Sequence, residues 1–155
     1  MKTFVKELFS IKEMEIVYVP NSKKFTEQKI TSSQSAHLIF RELFNPNTIN
    51  FQEECIVLYL NNYNKVLGAQ KLSKGGLTAT VVDARIIFAT ALKSLATGII
   101  LAHNHPSGNL SPSNSDKELT RKLSEGAKLL DLKLLDHLIL APNEHYYSFS
   151  DEDIL

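Results

Sequence analysis

One cysteine, no tryptophan and equal numbers of acidic and basic residues mark this 155-residue sequence. A single cysteine, Cys55, excludes an intrachain disulfide, and such a chain is typical of a reducing compartment. Cys55 lies in the apolar run CIVLYL, where a thiol is usually a small buried side chain rather than a nucleophile. We therefore predict a buried Cys55 in a cytoplasmic protein.

Long hydrophobic runs are also missing. The N-terminal stretch MKTFVKELFSIKEMEIVYV is interrupted by charge throughout, so we expect neither a signal peptide nor a membrane span. Lysine and arginine total 17, as do aspartate and glutamate, which leaves no global field to hold a polyanion such as DNA. A local basic patch and a homo-oligomer both stay open.

The composition is that of an ordinary globular domain, with 43% apolar and 22% charged residues. Period-two and apolar segments alternate with helical patterns, which indicates an α/β (α+β) fold, a mixed sheet with flanking helices. Strands are predicted over Met14–Val19, Cys55–Leu60, Val66–Leu72 and Leu77–Val82, and over GIILAH, KLLDHLIL and HYYSFS.

Three helices are predicted between these strands. Ser32 or Ser33 caps the first, which ends before Pro46. Asp83 caps the second, and Gly98 suits the position just after its end. The expected apolar stripes are Ala36, Ile39, Phe40 and Leu43 in the first helix, Ile86, Ile87, Leu92 and Leu95 in the second, and Leu119, Leu123, Ala127 and Leu130 in the third.

The segment HNHPSGNLSPSNSD, residues 103–116, carries the chemistry. His103 and His105 follow a buried strand two residues apart, so both imidazoles can face one point. Asp116 lies in the first turn of the third helix, and the loop through Pro106, Gly108 and Pro112 can bring its carboxylate beside them. Two histidines and one carboxylate leave a fourth position open on a tetrahedral zinc, as catalytic sites do.

Each of these residues has an ordinary structural explanation when taken alone. Strand-end histidines are often solvated, and Ser113 with Asp116 forms a capping box in its own right. The combination is much harder to explain without a metal. Zinc is the expected ion, with manganese, iron and nickel as alternatives for the same ligands. We predict His37 and His145 to be surface or loop histidines.

The pattern H-x-H-x7-S-x2-D in His103, His105, Ser113 and Asp116 resembles the JAMM signature of JAB/MPN metalloproteases. The strings LAHNHPSGNLSPSNSD and LLDHLIL are similar to the RadC branch of that superfamily. The resemblance runs from about Gln52 to the C-terminus. It implies a cytidine-deaminase-like JAB/MPN fold over residues 51–155, preceded by an extension over residues 1–50 whose short strand and helix pack on the core.

The resemblance also implies site roles. A glutamate before an early strand accepts a proton from a metal-activated water, and here Glu53 is our choice. Glu54, which would point to the opposite face, is the alternative base. Ser113 stabilises the developing oxyanion. Asp136 and His137 recur in RadC-like sequences and are left out of the ligand set; we expect a structural role, with contact to the metal ligands as the alternative. The implied activity is zinc-dependent hydrolysis of an unidentified peptide or isopeptide substrate.

Two alternatives remain. RadC proteins carry a historical DNA-repair label, so the chain could act on DNA or within a DNA-processing complex of a mobile element. The neutral charge and the lack of a helix-hairpin-helix pattern in the first 50 residues argue against DNA. The other alternative is a non-catalytic interaction module, which ranks last because such modules typically lose the ligands that are present here.

Overall fold

In the part of the chain that the structure describes, a five-stranded mixed β-sheet carries helices on both of its faces. The computed structural model describes residues 28–75 and 82–155, together with residues 15 and 17. The helices are Ser33–Leu43 (α1), Ala84–Lys93 (α2) and Asn114–Leu129 (α3), and the strands are Glu54–Leu60 (β1), Val66–Lys74 (β2), Gly98–Asn104 (β3), Lys133–Leu140 (β4) and Tyr146–Ser148 (β5). The predicted fold class is confirmed.

Two of the predicted strands cannot be compared with the structure. The segments Met14–Val19 and Leu77–Val82 lie outside the described residues apart from isolated positions, as does most of the loop that precedes Thr31. The other predicted strands are confirmed, including the hairpin of β1 and β2.

The strands follow the order β2-β1-β3-β4-β5 across the sheet. β1 pairs antiparallel with both β2 and β3, whereas β3 and β4 are parallel. A parallel pair needs a crossover connection, and α3 lies in that connection. Every residue of β1 and β3 is buried, because both strands lie in the interior of the sheet and are covered on both faces.

Alternation along the strands divides the core between the two faces. Ile56, Leu58 and Ile100 pack with α1 on one face. Val57, Leu101 and Cys55 pack with α2 and α3 on the other, and Cys55 is buried as predicted. Among the described residues, no helix combines the length and apolar character that crossing a bilayer requires.

The α1 helix begins as its sequence predicts. Ser32 is the N-cap, its side chain accepts from Ser35 N–H, and Ser35 completes a capping box. Ala36, Ile39 and Phe40 are buried against the sheet. The helix ends at Leu43, and its C-cap Phe44 has extended backbone just before Asn45-Pro46.

The second helix, α2, departs from its predicted stripe. Asp83 caps it as expected, but Ile87 lies in a buried face with Ala84 and Ala91, and the alanines allow close approach to the sheet. The predicted stripe was therefore largely wrong: Ile86 and Leu92 are each 48% exposed and Leu95 is 82% exposed.

Gly98 does not follow α2 as its cap. Ser94 is the C-cap, and Leu95 adopts the left-handed conformation with φ of 56°. Gly98 is instead the first residue of β3, where a Cβ would lie 2.8 Å from Leu135 Cδ1. The glycine therefore serves close packing of β3 against β4 and not the end of the helix.

Candidate metal centre

His103 and His105 face a common point at the end of β3. His103 is the last residue but one of the strand, and His105 continues its pairing, because His105 N–H donates to Leu140 O at 2.9 Å. Residues two apart in extended backbone point the same way. The two Nε2 atoms lie 3.0 Å apart, as the spacing predicted.

Asp116 joins them from the first turn of α3. The helix begins at Asn114 with Ser113 as its N-cap, and Gly108 turns the preceding loop with φ of 80°. Asp116 Oδ1 lies 3.2 Å from His103 Nε2, and Asp116 Oδ2 lies 3.6 Å from His105 Nε2. The three residues form a cluster that could hold a metal ion, with one ligand atom from each lying within 4.8 Å of the others.

A chain of hydrogen bonds assigns the tautomer of His103. Thr120 Oγ1 lies 2.7 Å from Asp116 O, and a carbonyl oxygen cannot donate, so the Thr120 hydroxyl is the donor. His137 Nδ1–H therefore donates to Thr120 Oγ1 at 2.7 Å. That leaves His137 Nε2 as the acceptor for His103 Nδ1–H at 2.8 Å, and the lone pair of His103 is on Nε2.

The tautomer of His105 follows from a single bond. His105 Nδ1 lies 2.6 Å from Asn109 O, another carbonyl oxygen, so the proton is on Nδ1. In the neutral imidazole the lone pair of His105 is then also on Nε2. Two nitrogen lone pairs and the carboxylate of Asp116 face one another, an arrangement that a cation among them would stabilise.

The electrostatics of the cluster agree with a cation site. Burial alone would raise the pKa of the Asp116 carboxyl, but the contacts with His103, His105 and Ser113 outweigh it and hold that pKa well below its usual range. Asp116 raises the pKa of His105, because a His105 ring that carried a second proton on Nε2 would donate it to the carboxylate. Complete burial lowers the pKa of His137 well below its ordinary value, which favours the neutral ring that the hydrogen-bond chain requires.

The spacing of the donor atoms fits a first-row metal. Ligand atoms at about 2.0–2.1 Å from a tetrahedral zinc lie about 3.3–3.4 Å from one another. Here the two Nε2 atoms are 3.0 Å apart, His103 Nε2 is 3.2 Å from Asp116 Oδ1, and His105 Nε2 is 3.6 Å from the other carboxylate oxygen, Oδ2. Two imidazole nitrogens and one carboxylate oxygen are also a donor set that zinc binds. The residues present therefore fit a metal.

The two candidate glutamates lie on opposite faces of the sheet. Glu53 immediately precedes β1, and its carbonyl accepts from Gly75 N–H, which extends the β1–β2 ladder. Alternation places Glu53 on the face of Cys55, whose strand partner is His103. The Glu53 charge also helps to raise the pKa of His105.

Glu54 is buried on the α1 face and is engaged by other groups. Thr48 Oγ1 donates to Glu54 Oε1 at 3.1 Å, and Lys71 Nζ lies 3.8 Å from Glu54 Oε2. These contacts connect β1 to the turn before it and to β2. Glu54 therefore lies away from the cluster of His103, His105 and Asp116.

Ser113 contacts the cluster through Asp116. Its Oγ–H donates to Asp116 Oδ2 at 2.7 Å, its N–H donates to the same oxygen at 2.7 Å, and its Oγ accepts from Asp116 N–H at 3.1 Å. In this arrangement the hydroxyl orients the carboxylate while it caps α3.

Two polar residues contribute more than their sequence pattern indicates. His137 is fully buried and contacts His103 directly, and its ring stacks on Phe149 with centroids 4.7 Å apart. A histidine inside the apolar run LLDHLIL was the available signal. Asn104, between the two ligand histidines, is also fully buried and bonds to the segment before β1.

The remaining histidines are remote from the cluster. His145 is exposed in a loop, as predicted. The prediction for His37 was wrong: it is 4% exposed on α1 and stacks on Tyr146 with ring centroids 4.3 Å apart. Burial lowers its pKa.

A mixed sheet with helices on both faces and a His-x-His and Asp cluster at the end of a central strand is the arrangement of a JAB/MPN-type domain. Residues 30–154 match the RadC-like JAB domain family, and the chain belongs to that family. The match begins before α1, so it extends further towards the N-terminus than the similarity predicted from about Gln52.

Relatives in several bacteria support this membership. A UPF0758 protein of Flavobacterium johnsoniae is 48% identical over 127 residues, which are 82% of this chain and 54% of that protein. A UPF0758 protein of Porphyromonas gingivalis is 40% identical over 137 residues, which are 88% of this chain and 59% of that protein. The chain spans about half the length of the curated relatives it matches.

Proposed function

We propose that this chain is a zinc-dependent hydrolase that cleaves peptide or isopeptide bonds. One observation carries the proposal: His103, His105 and Asp116 direct three lone-pair-bearing atoms at one point, and the bonds to His137 and Asn109 O hold both imidazoles in that state. Membership of the RadC-like JAB domain family agrees with it. The substrate class comes from the resemblance to JAMM metalloproteases.

Zinc, when bound by His103, His105 and Asp116, would polarise a carbonyl and lower the pKa of a bound water to about 7. Glu53 accepts a proton from the attacking water and later delivers it to the leaving nitrogen. The water oxygen bonds to the carbonyl carbon, the carbon–nitrogen bond breaks, and the amine leaves with the transferred proton.

Ser113 is proposed to donate a hydrogen bond to the developing oxyanion. In the structure its hydroxyl donates to Asp116 Oδ2. The oxyanion contact therefore requires the hydroxyl proton to turn from the carboxylate to the substrate, whereas the alternative role of orienting Asp116 requires no change.

The test compares three variants on a panel of peptide-linked and isopeptide-linked fluorogenic substrates with zinc supplied. We expect Glu53→Gln to retain zinc but to lose turnover by about 100-fold or more, because a general base contributes that much. We expect His105→Ala to lose zinc and activity together. Zinc content is measured by elemental analysis of the purified proteins.

Glu54→Gln is the matched control, because it makes the same chemical change one residue away and on the opposite face. Its turnover should stay close to that of the unaltered protein. Equal losses in Glu53→Gln and Glu54→Gln, or full zinc content in His105→Ala, would contradict the assignment.

A further inference from the structure

Asn104, the residue between the two ligand histidines, forms hydrogen bonds with its side-chain amide only to the segment that carries Glu53. Asn104 is 0% exposed at the end of β3. Its Nδ2 donates to Ile49 O and to Gln52 O, each at 2.9 Å, and its Oδ1 accepts from Glu54 N–H at 2.7 Å. All three partners belong to residues 49–54.

These bonds flank Glu53 closely. Gln52 O and Glu54 N–H are the backbone groups on either side of it, so Asn104 holds the backbone both before and after the glutamate. Asn104 lies on the same strand as His103 and directly precedes His105. One buried amide thus connects the strand of the two imidazoles to the backbone of the proposed base.

The end of this segment also contacts Gly75 after β2, because Gly75 N–H donates to Glu53 O at 2.8 Å and Gln52 Nε2 donates to Gly75 O at 3.3 Å, but these two bonds do not reach β3. The segment itself is a series of turns from Asn45 to Gln52, closed by local bonds such as Gln52 N–H to Thr48 O at 2.9 Å. Local turns set the shape of the segment but not its distance from β3. A buried side chain with every donor and acceptor satisfied can set that distance, because breaking it would leave buried polar groups unpaired.

We propose that Asn104 is a positioning residue that holds Glu53 at a fixed place relative to the cluster of His103, His105 and Asp116. The inference rests on the proposed function, in which Glu53 is the base. Near-attack geometry is sensitive to displacements of about 1 Å, so a loosened segment would lower turnover without removing a ligand.

The test uses Asn104→Ala, which removes all three bonds, and Asn104→Asp, which keeps an acceptor for Glu54 N–H but loses both donors. Asn61→Ala is the matched control. Asn61 follows the other end of β1, where its Oδ1 accepts from Tyr63 N–H at 2.9 Å and Lys65 N–H at 3.0 Å. The readouts are amide hydrogen exchange by NMR, zinc affinity by chelator competition, and turnover.

In Asn104→Ala we expect the Glu54 amide to exchange at least about tenfold faster, because its acceptor is gone. Asn104→Asp should keep the protection of that amide. Turnover should fall by about 100-fold in both variants, with KM little changed. Zinc affinity should fall by less than the roughly tenfold that losing a ligand-orienting partner costs. Asn61→Ala should leave zinc affinity and turnover unchanged.

A purely structural role predicts a different pattern. Zinc affinity and turnover would then fall in parallel, because the His103 and His105 imidazoles would be displaced together with the segment, and this result overturns the proposal. Unchanged turnover in Asn104→Ala also overturns it. If neither variant folds, amide exchange in the unaltered protein still tests the proposal. A Glu54 amide that exchanges freely, unlike the amides inside β1, would show that Asn104 does not hold this backbone and would overturn the proposal.

Failure of the proposed function gives a separate signature. If the unaltered protein hydrolyses none of the substrates, the enzyme assignment fails, and the exchange rate of the Glu54 amide and the zinc affinity alone decide whether Asn104 holds the segment. The two ideas can therefore fail independently.

Discussion

The tautomers of His103 and His105 depend on two backbone carbonyl oxygens, those of Asp116 and Asn109. Asn109 O fixes the ring of His105 directly, whereas Asp116 O acts on His103 through Thr120 and His137. Histidines that bind metals usually donate their other ring N–H to a partner, which orients the ring and raises its basicity. In His103 that partner is another imidazole.

Replacing His137 should therefore weaken metal binding although His137 is not a ligand. In His137→Phe the ring stacking on Phe149 can persist, but His103 Nδ1–H loses its acceptor. We expect zinc affinity to fall by about 10–100-fold, the usual cost of removing such a partner. Competition with a zinc chelator measures it.

His145→Phe is the control for this substitution, because His145 is an exposed loop histidine. It should leave zinc affinity unchanged. A His137→Phe protein that folds and binds zinc as tightly as the unaltered chain would show that the His103 tautomer does not need His137.

Among single residues, the proposed metal ligands could be predicted from the sequence, but the long-range hydrogen bonds around them could not. His103, His105 and Asp116 lie within fourteen residues, where strand alternation and one helix cap determine how they meet. His137 reaches His103 across 34 residues and Asn104 reaches Glu54 across 50. Those contacts depend on which strands pair, and a local pattern contains no information about pairing.

The helices α1 and α3 both begin with a serine capping box, but only the cap of α3 also contacts the proposed metal site. Ser32 and Ser113 both cap through a capping box, to Ser35 in α1 and to Asp116 in α3. In α3 the residue that completes the box is also a ligand. The stability of the helix start and the orientation of the carboxylate are therefore linked through one hydroxyl.

Ser32→Ala and Ser113→Ala form a matched pair for this idea. Each should lower the free energy of unfolding by about 1 kcal/mol, the usual effect of losing a serine cap. Only Ser113→Ala should also weaken zinc binding, because only Asp116 loses a donor to its carboxylate. Denaturant unfolding and chelator competition measure the two effects.

The same pair separates the two roles of Ser113. If Ser113→Ala loses turnover while its zinc affinity equals that of the unaltered protein, the hydroxyl acts on the substrate as the JAMM resemblance implies. Weaker zinc binding without a further loss of turnover at saturating zinc would instead support the orienting role.

The helices also show where sequence patterns are insufficient. Caps were predicted well, since Ser32, Asp83 and Ser113 act on backbone within three residues. The buried face of α2 was predicted poorly, because small alanines pack closely and leave Ile86 and Leu92 outside. Gly98 was predicted to end a helix, but a glycine is needed there because Leu135 on the neighbouring strand leaves no room for a Cβ.

At the scale of the whole molecule, the cluster adds a connection between elements that packing and hydrogen bonds already join. His103 belongs to β3 and Asp116 belongs to α3. Both are connected to His137 on β4, His103 directly and Asp116 through Thr120. A ligand that binds only the folded arrangement of these elements adds its binding free energy to stability.

Zinc should therefore raise the melting temperature. At 100 times its dissociation constant, an ion that binds only the native state adds about 2.7 kcal/mol to stability. For a domain of this size that corresponds to a rise of about 5–10 °C. Thermal unfolding followed by circular dichroism, with and without zinc, measures the shift, and a chelator should reverse it.

His105→Ala is the variant that assigns this shift to the cluster, because it removes one ligand from a partly exposed position. Its melting temperature should rise by much less than that of the unaltered protein at the same zinc concentration, and His145→Ala should respond fully. An equal rise in His105→Ala would place zinc elsewhere on the chain. The link between this cluster and the stability of the fold would then be lost, although the hydrogen bonds among β3, β4 and α3 would remain.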